Sequence, residues 1–202
     1  SSPSAAQATA KEYKLSLLPQ TLPFDDPFVQ LALDTHLLQM VRKYLGLHPM
    51  LRAIELWWDY PTDGPPKETQ LWHRDGDDVM NVKVFVYFTD VDVGAGPFCF
   101  LPGTHPRGRR RDLWADHRGG RSTDEQVAAV APRSTWRVCT AVAGTAILCD
   151  TCGYHKGLKP SHRERLMLMV QYTSGTPNYP QILQLTGAPE ETLDRAQRYA
   201  VA

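Results

Sequence analysis

The feature that most constrains the fold is the texture of the chain after Pro49, where short runs rich in Val, Ile, Phe, Tyr and Trp alternate with Pro and Gly turns. Runs of this kind predict β-strands, and many short strands at close spacing are typical of an antiparallel sandwich or barrel. Seven or eight strands with one inserted loop predict a mainly β jelly-roll core. The runs cover residues 51–60, 68–75, 81–91, 97–103, 135–142, 144–150 and 165–174.

Residues 25–46, ahead of these runs, have the pattern of one helix. Asp25 or Asp26 can cap its N-terminus, and Pro27 fits the first turn. Gly46 can end it. Apolar side chains at helical spacing predict a stripe that packs on the sheet, so that N-terminal helices cover one sheet face. The stripe consists of Phe28, Leu31, Leu38, Val41 and Leu45.

The length of 202 residues suits one domain. We expect residues 1–10, which are rich in Ser and Ala, to be disordered, and residues 11–202 to form the jelly-roll domain. Twenty-two basic residues balance twenty-two acidic ones, which argues against binding to nucleic acid or to a membrane through bulk charge. The absence of a signal-peptide pattern and of a long apolar span, together with only four cysteines, predicts a cytoplasmic location.

Two interruptions separate the predicted strands. Residues 102–122 form a long basic loop, in which residues 107–111 read RGRRR. With zero net charge, we interpret this run as a solvated loop or as a clamp for an anionic substrate tail. Residues 122–131 predict a short helix, with Ser122 and Glu125 spaced as in a capping box.

The candidate chemistry begins with His73 and Asp75. In a strand, residues i and i+2 point to the same face, so this imidazole and this carboxylate can converge on one ion. Two ligands hold a first-row divalent metal weakly, and a third must come from elsewhere. The alternative is a surface histidine beside a solvated aspartate.

Two further segments give the pair its context. Residues 94–105 read GAGPFCFLPGTH, and residues 143–172 read AGTAILCDTCGYHKGLKPSHRERLMLMVQY. The order of H-x-D, G-P-x-x-x-L-P-G-T-H, G-T-A before a His-x-Gly, and a late Arg resembles the phytanoyl-CoA dioxygenase family of iron(II)- and 2-oxoglutarate-dependent oxygenases. The resemblance covers about residues 51–175 and lies in the ordered conjunction, since each piece alone is weak.

The resemblance implies a cupin-like double-stranded β-helix that uses Fe(II), 2-oxoglutarate and O2 on a small-molecule substrate, with ascorbate as an activator in vitro. His73, Asp75 and His155 match the metal ligands of the family, a 2-His-1-carboxylate triad. Arg165, ten residues after His155, matches the arginine that binds the distal carboxylate of 2-oxoglutarate. Arg163, two residues earlier and therefore on the same strand face, is the fallback or a second contact.

Two histidines compete with His155, and Lys83 is a further candidate for the site. His105 and His162 are other candidates for the third ligand, although solvated loop histidines are the simpler interpretation of both. Lys83 lies in an alternating strand, which leaves it either solvated or pointing inward toward an anionic partner. The resemblance favours the inward orientation, with Lys83 contacting the cosubstrate.

Other function classes stay open. Cys149, Cys152 and His155, with Cys139 upstream, can be assembled into a zinc site or a redox pair, although small buried side chains are the simpler interpretation. A cupin-like metal enzyme that does not use 2-oxoglutarate and a non-catalytic binding module on the same scaffold are the alternatives to an oxygenase. Family members that halogenate lack the carboxylate at the position of Asp75, so its presence favours hydroxylation or a related oxidation.

Overall fold

The computed structural model of the chain describes residues 13–113, 120–187 and 193–202. Residues 1–10, which we expect to be disordered, and residues 114–119 of the basic loop lie outside the described residues, so that the single-domain boundaries stay a prediction. The helices are α1 Pro27–Ala32, α2 Thr35–Leu45, α3 Asp124–Val130 and α4 Arg195–Ala200. The strands are β1 Lys14–Ser16, β2 Thr21–Pro23, β3 Met50–Asp59, β4 Val82–Tyr87, β5 Phe98–Phe100, β6 Arg137–Cys139, β7 Ala146–Asp150, β8 His155–Gly157, β9 Arg165–Thr173 and β10 Gln184–Thr186.

Two antiparallel sheets make up the core. One has five strands in the order β1-β3-β9-β4-β7, and the other has three in the order β6-β5-β8. The expectation of a strand over residues 68–75 is wrong, because a short 3-10 helix, Glu68–Gln70, takes up the start of this segment. Single bridges follow it, from Trp72 to Ser122 and from His73 to His155 of β8. The strand order is that of the predicted mainly β jelly roll.

The N-terminal helical region is two helices rather than one. Asp34 has an extended ψ of 130° and its side chain caps the second helix at the Leu37 amide. An aspartate that caps a new helix competes with continuation of the old one, which explains the break. Asp26 caps the first helix and Gly46, at φ 78°, ends the second, as expected.

The helices cover one face of the larger sheet, as predicted. Leu38, Val41 and Leu45 belong to the same buried cluster as the sheet residues Val84 and Val170. Along β4 the alternation sends Val82 and Val84 into this cluster, while Phe85 and Tyr87 enter a second cluster between the sheets. Lys83 lies on the second side and lines a cavity there.

Helix α3 is anchored to the segment that precedes His73. Its capping box uses Thr123 and Gln126 rather than Ser122 and Glu125. Ser122 is fully buried and exchanges both backbone hydrogen bonds with Trp72, which removes it from the capping position. The Trp72 indole N–H donates to the Asp124 carboxylate at 2.8 Å. Within the described residues, no helix is long and apolar enough to cross a membrane.

Candidate metal centre

Three side chains from two segments converge between the sheets. The His73 and His155 backbones bridge each other, and the Asp75 amide donates to the Thr151 carbonyl at 2.9 Å. His73 Nε2 lies 3.9 Å from Asp75 Oδ1, and His155 Nε2 lies 3.7 Å from Asp75 Oδ2. One ligand atom from each residue lies within 4.8 Å of the others. Such spacing allows all three to coordinate a single ion.

The hydrogen bonds of the two imidazoles define which nitrogen faces the ion. His73 Nδ1 lies 2.8 Å from the Leu71 carbonyl, and His155 Nδ1 lies 3.0 Å from the Gly153 carbonyl. A carbonyl only accepts, so Nδ1 carries the proton in both rings. Each Nε2 therefore presents its lone pair to the cluster, as a metal ligand requires.

The electrostatics favour the protonation states that bind a metal. Burial lowers the pKa of His73 to about 3, with a further contribution from His155, and burial also lowers the pKa of His155. Burial alone would raise the pKa of Asp75, but the ammonium of Lys83 and the two histidines hold it below its usual range. Two neutral imidazoles and one carboxylate therefore face each other at neutral pH.

Lys83 supplies the cation that keeps this carboxylate ionised. Its Nζ lies 2.7 Å from Asp75 Oδ2, and both side chains are 13% exposed. Although burial lowers the pKa of Lys83, the Asp75 carboxylate raises it above its ordinary value. Lys83 thus points inward, and its ammonium forms an ion pair with Asp75, a candidate metal ligand.

Arg165 lies in the same cavity as the three candidate ligands. It is 4% exposed, and so is Asp59, which faces it as its cross-strand partner between β3 and β9. Asp59 Oδ2 accepts from Arg165 Nη2 at 2.7 Å and from Nε at 3.2 Å. The sequence reasoning located the arginine but missed the aspartate, whose only signal is a charge at the end of an apolar strand.

The structure does not bring Arg163 to this cavity. Strand β9 begins at Arg165, so the expectation that the two arginines share a strand face does not hold. The Arg163 side chain is half exposed, and its Nη1 donates to Asp92 at 3.0 Å. Arg165 alone of the two lines the cavity.

The competing ligands lie elsewhere. His105 Nδ1 is 3.8 Å from Asp150 Oδ2, and His162 is exposed and packs against Gly94. Neither histidine lines the cavity of the candidate ligands. All four cysteines lie in the described part of the chain, and all are free thiols. Among described residues, the set of His73, Asp75 and His155 is the only group of three or more His, Cys, Asp or Glu side chains spaced to hold a metal.

Further residues of the cavity carry no sequence signal for a site. Lys14 from β1 places its ammonium 3.2 Å from the centroid of the Trp57 ring, and both line the cavity with Thr69 and Gly157. Strand β1 pairs with the end of β3, which explains why an N-terminal residue reaches this point. Such placement depends on strand pairing and cannot be read from local pattern.

Comparisons with known proteins give a family match and structural neighbours. Residues 7–164 match the family model for phytanoyl-CoA dioxygenase (PhyH). EctD from S. alaskensis with bound Fe superposes with a TM-score of 0.59 at 19% identity, covering 88% of this chain and 62% of that chain. HygX from Streptomyces hygroscopicus, with nickel, 2-oxoglutarate and hygromycin B bound, gives 0.56 at 15%, covering 86% and 75%. No curated protein matches significantly.

The structural likeness shows a shared jelly-roll fold, and this chain spans less than two thirds of the EctD chain. The family match supports a stronger conclusion than the structural likeness, because it extends over most of the chain and includes His73, Asp75 and His155. It ends one residue before Arg165. The chain belongs to the phytanoyl-CoA dioxygenase (PhyH) family.

Proposed function

We propose that this protein is an Fe(II)- and 2-oxoglutarate-dependent oxygenase that hydroxylates a small organic substrate and releases succinate and carbon dioxide. The observation that carries the proposal is one cavity that contains both the His–Asp–His cluster and the buried guanidinium of Arg165. The EctD and HygX structures, in which Fe, nickel or 2-oxoglutarate is bound, support it as relatives in fold.

The donor set fits a ferrous ion. His73 and His155 each offer a neutral Nε2 and Asp75 offers a carboxylate oxygen, the ligand set of non-haem iron oxygenases. When bound, iron and 2-oxoglutarate would together supply the activation of O2 and the electrons that this activation needs. The protein's contribution is to hold the imidazoles by their Nδ1–H bonds and to keep Asp75 ionised beside Lys83.

Arg165 and Lys83 are the groups that we assign to the cosubstrate. A guanidinium binds a carboxylate through two parallel N–H donors and stays charged when buried. Lys83 contributes a second cation beside the metal ligands. With Lys14 these side chains give the cavity three cations against the carboxylates of Asp59 and Asp75. The net positive charge, which a bound divalent metal would raise further, favours an anionic ligand.

The remaining walls suit an apolar reacting carbon. Phe85, Phe98 and Met167 line the same cavity, and each is 3% exposed. Such walls exclude water from the centre, which limits reaction with solvent. Asp75 occupies the position of the ligand that halogenating relatives lack, and this supports hydroxylation. The substrate contacts are expected in residues 61–69 and 103–121, since specificity in such folds lies in loops.

The test is anaerobic addition of 2-oxoglutarate to the Fe(II)-loaded protein, followed by oxygen and a panel of small substrates. Bidentate chelation of ferrous ion should give a visible charge-transfer band, and turnover should release succinate. The His155→Ala variant, which lacks one ligand, should show neither.

The second candidate is a cupin-like metal enzyme that does not use 2-oxoglutarate, because Asp59 already neutralises the charge of Arg165. Absence of the band in the metal-loaded wild type would favour this candidate and refute our proposal. The free thiols agree with a cytoplasmic location, which we retain as part of the proposal.

A further inference from the structure

We infer that Asp59 is a positioning residue, which aims Arg165 at the distal carboxylate of the cosubstrate and thereby sets the length of 2-oxo diacid that the cavity accepts. The inference rests on the proposed function. It concerns a contact that already exists within the protein: Asp59 and Arg165 are Cα partners at the last position of the β3–β9 ladder, where both strands reach the cavity.

The contacts of the guanidinium leave it a single orientation. One oxygen of Asp59 accepts from Nε at 3.2 Å and from Nη2 at 2.7 Å, so the aspartate holds one side of the planar group. The carbonyl of Gly96 accepts a third hydrogen bond, from Nη1. Both carboxylate and guanidinium are almost completely buried, and a buried pair held at two points does not rotate freely.

The unused donors are then defined by counting. A guanidinium has five N–H groups, and Asp59 and Gly96 use three of them. The Tyr87 hydroxyl also interacts with the guanidinium, so that at most one N–H on each of the two terminal nitrogens stays available. A bound carboxylate must use these remaining donors, and their direction is determined by the bonds already made.

Gly157 leaves space at this point. A Cβ placed on Gly157 would lie 3.5 Å from Arg165 Nη2, in contact with one of the nitrogens that carries an unused donor. Gly157 and Arg165 both line the cavity that contains the candidate metal ligands. A ligand carboxylate can therefore approach this nitrogen beside a residue that has no side chain.

A fixed donor at one end and the metal ligands at the other define the length of the ligand between them. A 2-oxo acid would be held at its 2-oxo carboxylate end near His73, Asp75 and His155, and at its distal carboxylate by Arg165. Without Asp59 the guanidinium can turn and follow diacids that are one methylene shorter or longer. Asp59 therefore acts on selectivity among diacids, through Arg165.

The experiment compares the wild type with Asp59→Leu, which keeps about the size of the side chain but removes the oxygen that accepts from Arg165. Both proteins are loaded with Ni(II), which is redox-inert, and are titrated calorimetrically with 2-oxoglutarate, oxaloacetate and 2-oxoadipate. The wild type should prefer 2-oxoglutarate by about tenfold or more over either analogue, since a methylene in a defined site is worth about this much. In Asp59→Leu, where nothing at this position accepts from the guanidinium, the preference should fall to about threefold or less.

Two controls separate positioning from general damage. Asp92→Leu breaks the Arg163–Asp92 pair outside the cavity and should keep the wild-type preference. Pyruvate lacks a distal carboxylate, and its affinity should be the same in the wild type and in Asp59→Leu. The variant Asp59→Glu, which pushes the guanidinium toward the cavity, should shift the preference toward oxaloacetate.

The outcomes are distinct. A wild type that does not bind 2-oxoglutarate refutes the proposed function and this inference with it. If the wild type binds and discriminates and Asp59→Leu shows the same preference as the wild type, only the positioning role is refuted, even if that variant has a lower melting temperature. A reduced preference in Asp59→Leu with an unchanged one in Asp92→Leu supports it.

Discussion

Replacing Lys83 with Met tests whether the buried cation serves the metal centre. The change keeps the length and apolar body of the side chain but removes the charge 2.7 Å from Asp75 Oδ2. At this distance the gross attraction is about 6 kcal/mol for an effective dielectric constant of about 20, and desolvation of both groups offsets part of it. Loss of one partner from a buried pair costs about 3–5 kcal/mol.

The metal-free Lys83→Met protein should therefore unfold at a lower temperature, by roughly 10 °C for a domain of this size. Added Ni(II) should reverse much of this loss, because a divalent ion replaces the missing positive charge beside Asp75. In the variant the ion also no longer shares the Asp75 carboxylate with an ammonium. The metal-induced rise in unfolding temperature should therefore exceed that of the wild type by roughly 5 °C or more.

The assay is thermal unfolding followed by circular dichroism, with and without Ni(II). Lys156→Met is the matched control, since Lys156 is likewise buried and paired with an aspartate, Asp124, which is not a candidate ligand. It should lose stability but gain the same increment from metal as the wild type. If the metal-induced rise in the unfolding temperature of Lys83→Met is no larger than that of the wild type, the conclusion that Lys83 balances the charge of Asp75 is refuted.

Three further results are expected. His155→Ala should lose Fe(II) binding in equilibrium dialysis together with 2-oxoglutarate turnover, because two ligands do not retain a labile ferrous ion; retained binding would contradict the ligand set. Arg165→Lys should raise the 2-oxoglutarate requirement more than about tenfold at unchanged metal affinity, since a point charge replaces a fork, while Arg163→Lys should match the wild type. Because burial lowers the pKa of His73 to about 3, this histidine stays neutral at about pH 5, and Ni(II) affinity should change less than about twofold between about pH 7 and pH 5. A histidine with its ordinary pKa near 6.5 would be mostly protonated at about pH 5 and would bind Ni(II) much more weakly there.

The parts of the site that follow from local geometry could be predicted. His73 and Asp75 are two residues apart, so their convergence needs only an extended backbone. His155 and Arg165 were placed by resemblance, and the structure brings both to the cavity. Prediction failed for Arg163, because the start of β9 at Arg165 depends on pairing with β3 rather than on composition.

Contacts between distant segments could not be predicted. Asp59 and Arg165 are 106 positions apart, and only the strand register brings them together. The same holds for Lys83, whose inward orientation was one of two that alternation allows. The break at Asp34 was within reach of the sequence, since a capping aspartate stands there in the middle of the predicted helix.

The attachment of α3 to Trp72 has a consequence for how this scaffold can diversify. Trp72 directly precedes a candidate ligand and is held on one side by the Ser122 backbone and on the other by Asp124. The C-terminal end of the inserted segment is thus attached to the residue that precedes His73, and the backbone at position 122 supports Trp72 directly. The other end of the segment is attached as well, because Arg74, between the two candidate ligands, donates to the Leu113 carbonyl at 2.8 Å and Leu113 packs against the cluster that includes Trp72. New substrate preferences that leave the reactive centre intact are therefore expected from changes between these two attachments, at residues such as 106–112.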